Sequence, residues 1–405
     1  MSEATTVNPD SSVYYQAGYW NQLEQVREYL NRRATDDPAL DWSRHLLKWR
    51  GGPFAKALIL NCGNGWVERD LLAVGLVKEA VGIDFIDDLL DTARDAAGKD
   101  NLPLRYYQMD TNTAEFPEGD YDLVVNFAAA HHIARLDRVF RRVAELLPED
   151  GVFVSWDYIG AHRNQYPTAQ WKAVWETNQR LPEDMRQELS YAHAPTMIHG
   201  DPTEAVHSEL IVSTMRRYFD TVYYRGVGGA LAYPLLTFNE PLLSRDPEEV
   251  VDLVGTILDA DAEYTDRDPE SNTLFAYLIA QPNKAALTNT AQLTEWAREE
   301  DEREAAAARN GGAYYPPTFL ADIYQKLHTV RDELIAKTAE LQAAVAAAEA
   351  ASATAAAAEA AASEARALAR RPLRANPALR AAGAKVPGAR PVYRWLRAMY
   401  HRLRD

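Results

Sequence analysis

Five short apolar runs alternate with helical segments between residues 57 and 158, and this alternation constrains the fold more than any other feature. The runs are ALILN, AVGID, LRYYQMD, YDLVVNFA and GVFVSWDY. The segments between them, such as DDLLDTARDAA and LDRVFRRVAELL, space their apolar residues three and four apart. Strands that alternate with helices form a mostly parallel sheet with helices on both faces. Two later runs, TVYYRGVGG and TLFAYLIAQ, extend the prediction to a seven-stranded, Rossmann-like α/β sheet.

The segments outside this alternation predict the rest of the domain organisation. Polar and aromatic helical patterns precede the first strand, and we interpret them as a lid. The predicted order is an N-terminal helical lid (1–50), the sheet domain (51–282) with a helical insertion at about 163–205, a charged linker (283–318), an alanine-rich coiled-coil helix (319–370) and a basic tail (371–405). We therefore predict one α/β domain that is followed by extended appendages.

Apolar residues keep a three-four spacing through the first part of the alanine-rich segment. This seam consists of Leu320, Ile323, Leu327, Val330, Leu334 and Leu341. A heptad seam predicts a helix that pairs with another helix, most simply a second copy of the chain. We therefore predict a homo-oligomer formed through residues 320–345. The alternative is a single helix in solvent, because alanine favours a helix without any partner.

The basic tail contrasts with the acidity of the whole chain. From Arg366 to Asp405 there are eleven Lys and Arg residues and one acid, whereas the complete chain carries a net charge of −16. An acidic body repels a nucleic-acid backbone, so we predict no nucleic-acid partner. The tail suits peripheral contact with an anionic membrane. Since no apolar run approaches the ~20 residues of a membrane span, and the start MSEATTVNPDSS lacks a signal-peptide pattern, we expect a cytoplasmic protein.

The stretch LNCGNGWVERDLL predicts the binding site for a cofactor. A strand followed by Gly63, Gly65 and a helix places free backbone N–H groups at the carboxyl end of the sheet. Asp84 ends the next apolar run, where a carboxylate accepts hydrogen bonds from the hydroxyl groups of a ribose. The cofactor is therefore a dinucleotide or S-adenosylmethionine. Glu68 stands where the dinucleotide fingerprint needs a small residue, which favours S-adenosylmethionine.

These residues carry a resemblance to a known family. LNCGNGWVERDLL, VGIDFIDDLLDTAR, YYQMDTN, YDLVVNFAAAHHI and ELLPEDGVFVSWDYIG together resemble class I S-adenosylmethionine-dependent methyltransferases over about residues 55–160. A narrower resemblance follows from CGNGWVER, DYIGAHRNQYP, DPTEAVHSELIVSTMRRYF and GVGGAL. These stretches are similar to bacterial methyltransferases of surface-glycan biosynthesis clusters. The resemblance implies an enzyme that methylates an oxygen atom, with a saccharide or glycolipid as the acceptor.

The family resemblance also assigns roles to the residues of the cofactor site. It places Gly63 and Gly65 against the amino acid part of S-adenosylmethionine, and Asp84 on the ribose. The remaining cofactor-binding residues are Asp110 beside the adenine, Asn126 and Phe127 facing the sulfonium, and Asn61 at the methionine amino group. Asn61 departs from the family, which commonly has Asp or Glu there. For Asp110 the alternative is a helix N-cap.

Methyl transfer to a hydroxyl group needs a base that removes the hydroxyl proton. The catalytic candidates, which follow the fourth and fifth predicted strands, are His131, His132 and Asp157. The substrate-binding candidates are His162, Glu204 and His207. For Glu204 and His207 the alternative is a capped surface helix that begins near Asp201.

A metal site is the least supported kind of site in the sequence. His193, His199 and His207 with Asp201 offer ligand atoms, but their irregular spacing gives no helical pair of histidines. We therefore assign no metal ligand. We therefore predict an S-adenosylmethionine-dependent O-methyltransferase. The alternative is a non-catalytic cofactor-binding or scaffold protein organised by its coiled coil and basic tail.

Overall fold

The computed structural model describes residues 18–192, 194–309 and 317–370. The chain divides into two units, Met1–Tyr315 and Pro316–Asp405. The first unit contains one sheet whose seven strands are β1 (Phe54–Leu60), β2 (Val77–Asp84), β3 (Leu104–Gln108), β4 (Leu123–Phe127), β5 (Val152–Tyr158), β6 (Phe219–Gly228) and β7 (Phe275–Pro282). Their order is β3-β2-β1-β4-β5-β7-β6, and only β7 runs antiparallel to its neighbours. The predicted seven-stranded, mostly parallel sheet is confirmed.

Helices cover both faces of the sheet. In chain order they are α1 (Glu24–Thr35), α2 (Trp42–Arg50), α3 (Trp66–Ala73), α4 (Asp87–Lys99), α5 (Leu136–Leu146), α6 (Thr168–Arg180), α7 (Ala194–Gly200), α8 (Ile211–Tyr218), α9 (Ala232–Leu236), α10 (Glu240–Leu243), α11 (Pro247–Asp266), α12 (Thr290–Arg309) and α13 (Pro317–Arg370). Because successive side chains of a strand point to opposite faces, Ala57 and Ile59 join one apolar cluster and Leu58 and Leu60 join the other. This explains why the strands read as continuous apolar runs.

The strand order reverses at β1, which lies between β2 and β4. In open α/β sheets such a reversal leaves a crevice at the carboxyl ends of the two strands, because the following helices cover opposite faces. The glycine turn after β1 and the histidine pair after β4 both lie at this edge. The topology therefore brings the predicted cofactor and catalytic segments together.

The N-terminal helices form, but α1 is a layer of the first unit rather than a separate lid. It packs against β6 and α11. The Tyr29 hydroxyl donates to a carboxylate oxygen of Asp261 at 2.7 Å, and the same carboxylate accepts from the backbone N–H groups of Gly229 and Leu231. This buried acid anchors α1 to the turn that follows β6.

The predicted linker at 283–318 contains α12, and α12 belongs to the first unit. Leu293, Glu300 and Ala307 are buried at seven-residue spacing. Glu300 accepts from the backbone N–H of Asp137 at 2.7 Å, at the start of α5. The domain boundary expected at residue 282 therefore differs from the structure, in which the unit continues to Tyr315. The many charged residues on the other faces of α12 conceal its narrow buried stripe.

The second unit contains one long helix over its described residues. The side chains of Val330, Leu334 and Leu341 are 54%, 65% and 66% exposed in the single chain. The other seam residues belong to the part of α13 whose side chains are not described, and the basic tail at 371–405 lies outside the described residues. Helix pairing stays a prediction. Within the described ranges, we find no helix with the length and apolarity to span a membrane.

Candidate functional site

A tight turn connects β1 to α3. Gly63 and Gly65 have φ angles of 57° and 72°, in the left-handed region that side chains disfavour. A Cβ atom at Gly65 would lie 2.5 Å from the hydroxyl of Tyr106, so only glycine fits there. The turn leaves the backbone without side chains at the carboxyl end of β1, as the sequence analysis predicts.

Asp84 connects this turn to the loop that follows β2. One carboxylate oxygen accepts from the N–H of Gly63 at 2.8 Å, and the other accepts from the N–H of Ile86 at 2.9 Å. The side chain is buried, and burial raises the pKa of Asp84. Each oxygen keeps a second lone pair, which is the chemistry that a pair of ribose hydroxyls requires. The donor and acceptor set therefore fits the predicted role.

Both polar groups of the Asn61 side chain form hydrogen bonds within the protein. Its carbonyl oxygen accepts from the Thr111 hydroxyl at 2.5 Å, and its amide donates to the carbonyl of Ala129 at 3.2 Å. Asp110 is exposed and accepts from the N–H of Asn112 at 2.9 Å, which caps the short turn Thr111–Thr113. Both side chains thus order loops at the crevice, and their predicted contacts with the cofactor stay predictions.

The two residues predicted to face the sulfonium have different surroundings. Asn126 is buried, and its amide donates to Ser155 Oγ and to Asp157 Oδ2, each at 2.8 Å. It supports Asp157 instead of lying at the open edge, because alternate residues of β4 point to opposite faces. Phe127 is half-buried at the edge itself.

Phe127 belongs to an aromatic cluster that the sequence analysis missed. Its ring centroid lies 5.4 Å from that of Trp42, 5.2 Å from that of Trp66 and 6.5 Å from that of Trp156. Trp66 follows Gly65 directly and is 42% exposed. Phe127 and Trp156 are register partners on β4 and β5. Because Phe127 and Trp156 both lie near the ends of neighbouring predicted strands, their contact could have been predicted from the sequence. No local sequence pattern predicts the contact with Trp42.

Asp157 is buried beneath the histidine pair. It accepts from the N–H of Ala130 at 2.6 Å and from Nδ1 of His131 at 2.5 Å. Burial opposes the charge on both residues, but their mutual attraction lowers the pKa of Asp157 and raises the pKa of His131 to about 9. The structure therefore corrects the assignment of Asp157 as the catalytic base. Its oxygens accept hydrogen bonds from the surrounding donors and are buried away from any methyl acceptor. Asp157 instead orients His131.

Glu204 joins the histidine pair from a distant loop. Its Oε2 atom lies 3.7 Å from Nε2 of His131 and 3.7 Å from Nε2 of His132. The Arg163 guanidinium holds this loop by donating to the carbonyls of Pro202 and Glu204 at 2.7 and 2.8 Å. Burial and the neighbouring His131 lower the pKa of His132. The two histidines predicted to be catalytic and one residue predicted to bind the substrate thus form a single cluster.

Tyrosine side chains surround Glu204. Burial, and after it the negative charge of Glu204, raise the pKa of Tyr19. Burial is also the largest cause of the raised pKa values of Tyr158, Tyr166 and Tyr233, and Glu204 contributes to all three. These residues are distant from Glu204 along the chain, so no local sequence pattern predicts the group.

His162 and His207 do not join this cluster. His162 donates from Nδ1 to the carbonyl of Val206 at 2.5 Å, and Nε2 of His207 lies 3.1 Å from a carboxylate oxygen of Glu304 on α12. Both rings are buried and stack at 5.9 Å. Burial lowers the pKa of His162 to about 4. Their role as acceptor-binding residues is therefore corrected to an interior one.

The described residues of the predicted metal-ligand set, His199, Asp201 and His207, do not form a group of converging ligand atoms. His199 is exposed on α7, and Asp201 accepts from the backbone N–H of Thr203 at 2.8 Å. His193 lies outside the described residues. Among the described residues, two other groups of ligand atoms do converge: His131 and His132 with Glu204, and the buried His162 and His207 with Glu209.

Comparisons with known proteins agree with this geometry. Residues 58–155 match the family model described as a methyltransferase domain. The uncharacterized methyltransferase YcgJ of Bacillus subtilis is 22% identical over 153 residues, which cover 33% of this chain and 60% of that protein. The mitochondrial arginine-hydroxylase NDUFAF5 of Rattus norvegicus is 33% identical over 101 residues, which cover 25% of this chain and 28% of that protein. The chain thus spans less than two thirds of the length of either relative.

One similar solved structure is phosphoethanolamine N-methyltransferase 2 of Haemonchus contortus in complex with S-adenosyl-L-methionine. It is 15% identical, with 64% of this chain and 56% of that chain covered and a TM-score of 0.38. The matched segment 58–155 contains the glycine turn, Asp84 and the histidine pair. This segment is therefore similar to methyltransferase domains, and the match supports S-adenosylmethionine as the cofactor.

Proposed function

We propose that the protein transfers the methyl group of S-adenosylmethionine to an oxygen atom of a saccharide or glycolipid. The observation that carries this proposal is the convergence of His131, His132 and Glu204 at the carboxyl end of β4, the same sheet edge that holds the glycine turn. A polar cluster beside a methyl donor suits an acceptor that loses a proton.

The chain's own residues position both reactants. The glycine turn and Asp84 hold the cofactor, which supplies an activated methyl group. The faces of Phe127 and Trp66 offer a surface that attracts a positive charge, such as a sulfonium, and that stacks against the apolar face of a sugar ring. Alignment of this kind supplies much of the rate of an in-line displacement.

The reaction conserves atoms and charge. The acceptor oxygen forms a bond to the methyl carbon while the carbon–sulfur bond breaks, and the electron pair of that bond stays on sulfur. The hydroxyl proton leaves towards the His131–His132–Glu204 cluster. Asp157 holds the His131 ring in place during this step.

The experiment is a product analysis. The full chain is incubated with methyl-labelled S-adenosylmethionine and parallel sets of free saccharides, lipid-linked saccharides, amines and arginine-containing peptides. We expect one labelled methyl group on a saccharide oxygen, located by mass spectrometry and NMR. A methyl group on nitrogen, or a hydroxylated peptide, would contradict the acceptor assignment. Cofactor binding with no product from any set would favour the scaffold alternative.

We further propose that the protein is a cytoplasmic homo-oligomer that pairs through residues 320–345. The exposed Val330, Leu334 and Leu341 support this, because burying such side chains against a second copy removes apolar surface from water. The basic tail supports peripheral contact with an anionic membrane, where lipid-linked acceptors are concentrated. Two tails in one oligomer bind more tightly than one, by avidity.

A further inference from the structure

Three potential ligand atoms converge at the cluster described above. Nε2 of His131, Nε2 of His132 and a carboxylate oxygen of Glu204 all lie within 4.8 Å of one another. Each histidine nitrogen is 3.7 Å from Oε2 of Glu204, which is longer than a hydrogen bond. The three atoms therefore face a shared space without closing a hydrogen bond between them.

The hydrogen bonds on the far side of each ring determine which nitrogen presents a lone pair. Asp157 accepts from Nδ1 of His131 at 2.5 Å. Thr203 uses its hydroxyl proton on Asp201, at 2.7 Å, so its oxygen accepts from Nδ1 of His132 at 3.0 Å. In the neutral form of each ring the proton then lies on Nδ1, and Nε2, on the side of Glu204, is the nitrogen that can bind an ion. A proton on Nε2 of His131 is released when an ion binds.

This arrangement is the one that metal-binding histidines use. A ligating imidazole almost always donates its second N–H group to a carboxylate or another oxygen, which fixes the ring and its tautomer. Asp157 is itself held by Asn126 and by the backbone of Ala130, so His131 has little freedom to rotate. The Glu204 side chain is one-third exposed and has room to close the remaining distance.

We propose that His131, His132 and Glu204 bind a divalent transition-metal ion, such as Zn²⁺, Mn²⁺ or Fe²⁺. Two imidazoles and one carboxylate are a ligand set typical of these ions, and it leaves coordination positions open for water or a substrate oxygen. This site differs from the histidine set weighed in the sequence, because Glu204 is more than seventy residues from the histidines and only the fold brings it near.

The catalytic consequence rests on the proposed function. With the ion bound, the three side chains are ligands and would no longer accept the hydroxyl proton themselves. A hydroxyl group bound to the ion would instead lose its proton to a water molecule, at a lower pH than a free hydroxyl does. The resulting oxygen then attacks the methyl carbon, and the electron pair of the broken bond stays on sulfur. A cation that binds two oxygen atoms at once favours acceptors with neighbouring hydroxyl groups, as saccharides have.

Metal titration tests the site without requiring turnover. The full chain is treated with a chelator, dialysed, and titrated with Zn²⁺ and with Co²⁺, whose visible absorption reports its ligands. We expect one site per chain, with affinity at least tenfold weaker in Glu204→Gln and His132→Ala. His199→Ala, which removes an exposed histidine on α7, is the matched control and should bind like the wild type. Equal affinity in all four proteins, or no binding by the wild type, would overturn the proposal.

Two further measurements distinguish loss of the metal site from a folding defect, and distinguish failure of the metal proposal from failure of the proposed function. Each variant is titrated with S-adenosylmethionine, and retained cofactor affinity shows that the sheet edge is intact. Glu204→Gln keeps the shape of the side chain, so its loss of metal with normal cofactor affinity supports the site directly. A protein that binds the ion through these residues but methylates no hydroxyl would refute the proposed function and leave the metal site standing.

Discussion

Asp84 is a buried carboxylate that holds two backbone segments together at the predicted cofactor site. Its two oxygens hold the N–H groups of Gly63 and Ile86, so the glycine turn and the loop after β2 keep a fixed separation. Burial raises its pKa, yet these two donors favour the ionised form. A ligand with two adjacent hydroxyl groups would meet a carboxylate that is already oriented.

Removing this carboxylate should weaken cofactor binding. We expect Asp84→Ala to reduce the affinity for S-adenosylmethionine by about 1.5 to 3 kcal/mol, since charge-assisted hydrogen bonds are lost. Calorimetry measures the effect. Asp87→Ala, at an exposed carboxylate three residues further on, should leave the affinity unchanged. Unchanged affinity in a folded Asp84→Ala protein would remove the ribose assignment.

Glu68 provides a prediction about pH and stability. It is buried near Cys62 and Tyr106 beneath the glycine turn, and burial raises its pKa from 4.5 to about 7. Below pH 4.5 both folded and unfolded chains are protonated at Glu68, so it has no effect. As the pH rises towards 7 the unfolded chain releases its proton first, so the folded state loses relative stability, by about 3 kcal/mol once both states are ionised.

The variant Glu68→Gln should not show this loss. Urea unfolding at several values between pH 4.5 and 8 gives the free energy of unfolding for each protein. We expect the variant to gain stability over the wild type across this interval, whereas Glu118→Gln, at an exposed position, should follow the wild type. Parallel curves for all three proteins would show that Glu68 does not hold its proton in the folded state.

Sequence reasoning found the residues that act through local pattern and missed those that act through the fold. The turn with Gly63 and Gly65 and the acid at the end of β2 follow from short-range rules about strand ends. The partnership of Glu204 with His131 depends on a loop held by Arg163, and no spacing encodes it. The sequence predicts the correct sheet edge for Asp157 but not its burial. That burial depends on five surrounding hydrogen-bond donors from β4, β5 and the loop between β4 and α5.

Among the secondary-structure elements, α12 extends the first unit beyond the last strand of the sheet. Leu293, Glu300 and Ala307 form its buried stripe. Glu300 accepts backbone N–H groups at the start of α5, where a helix has unsatisfied donors. Burial, and after it the charge of Asp137, raise the pKa of Glu300 to about 7. In its ionised form Glu300 also interacts favourably with the positive end of the α5 dipole. A carboxylate from one helix thus caps another.

The cap should contribute measurably to stability. We expect Glu300→Ala to lower the free energy of unfolding by about 1 to 3 kcal/mol, because buried backbone donors lose their acceptor. Glu302→Ala, on the exposed face of the same helix, should change it by less than about 0.5 kcal/mol. Denaturant unfolding of the two variants gives the comparison. Equal effects would show that α12 does not cap α5.

The strands were predictable and α12 was not, for one physical reason. A strand buried on both faces is a continuous apolar run, such as ALIL in β1, and little else in a sequence looks like it. A helix that touches the core along one narrow stripe shows only one buried residue per two turns. In α12 that stripe is hidden among charged residues, some of which pair with one another, such as Arg298 with Glu295.

At the scale of the whole molecule, the first unit carries the sheet and the second carries the long helix. The apolar side chains of α13 that are described lie exposed along it, including Ile335 and Val345. A helix of 54 residues with an exposed apolar seam is typical of a chain that pairs with another helix. The described part of the seam therefore supports the proposed oligomer.

The oligomeric state should follow the second unit. We expect the full chain to be a dimer or larger, and a chain truncated after Tyr315 to be a monomer that still binds S-adenosylmethionine. Light scattering coupled to size-exclusion chromatography gives both masses. The substitution Leu334→Glu in the full chain should weaken the assembly, whereas Glu333→Ala, next to it, should not. A monomeric full chain would contradict pairing through α13.

The most direct test of the central claim is calorimetric titration of the full chain with S-adenosylmethionine, in parallel with NAD. The glycine turn, Asp84 and the buried Glu68 together predict saturable binding of S-adenosylmethionine at one site per chain and no comparable heat with NAD. Competition by S-adenosylhomocysteine should abolish the signal, because both molecules share the ribose and the adenine. Tighter binding of NAD, or no heat with S-adenosylmethionine, would contradict the assignment of this sheet edge to a methyl donor.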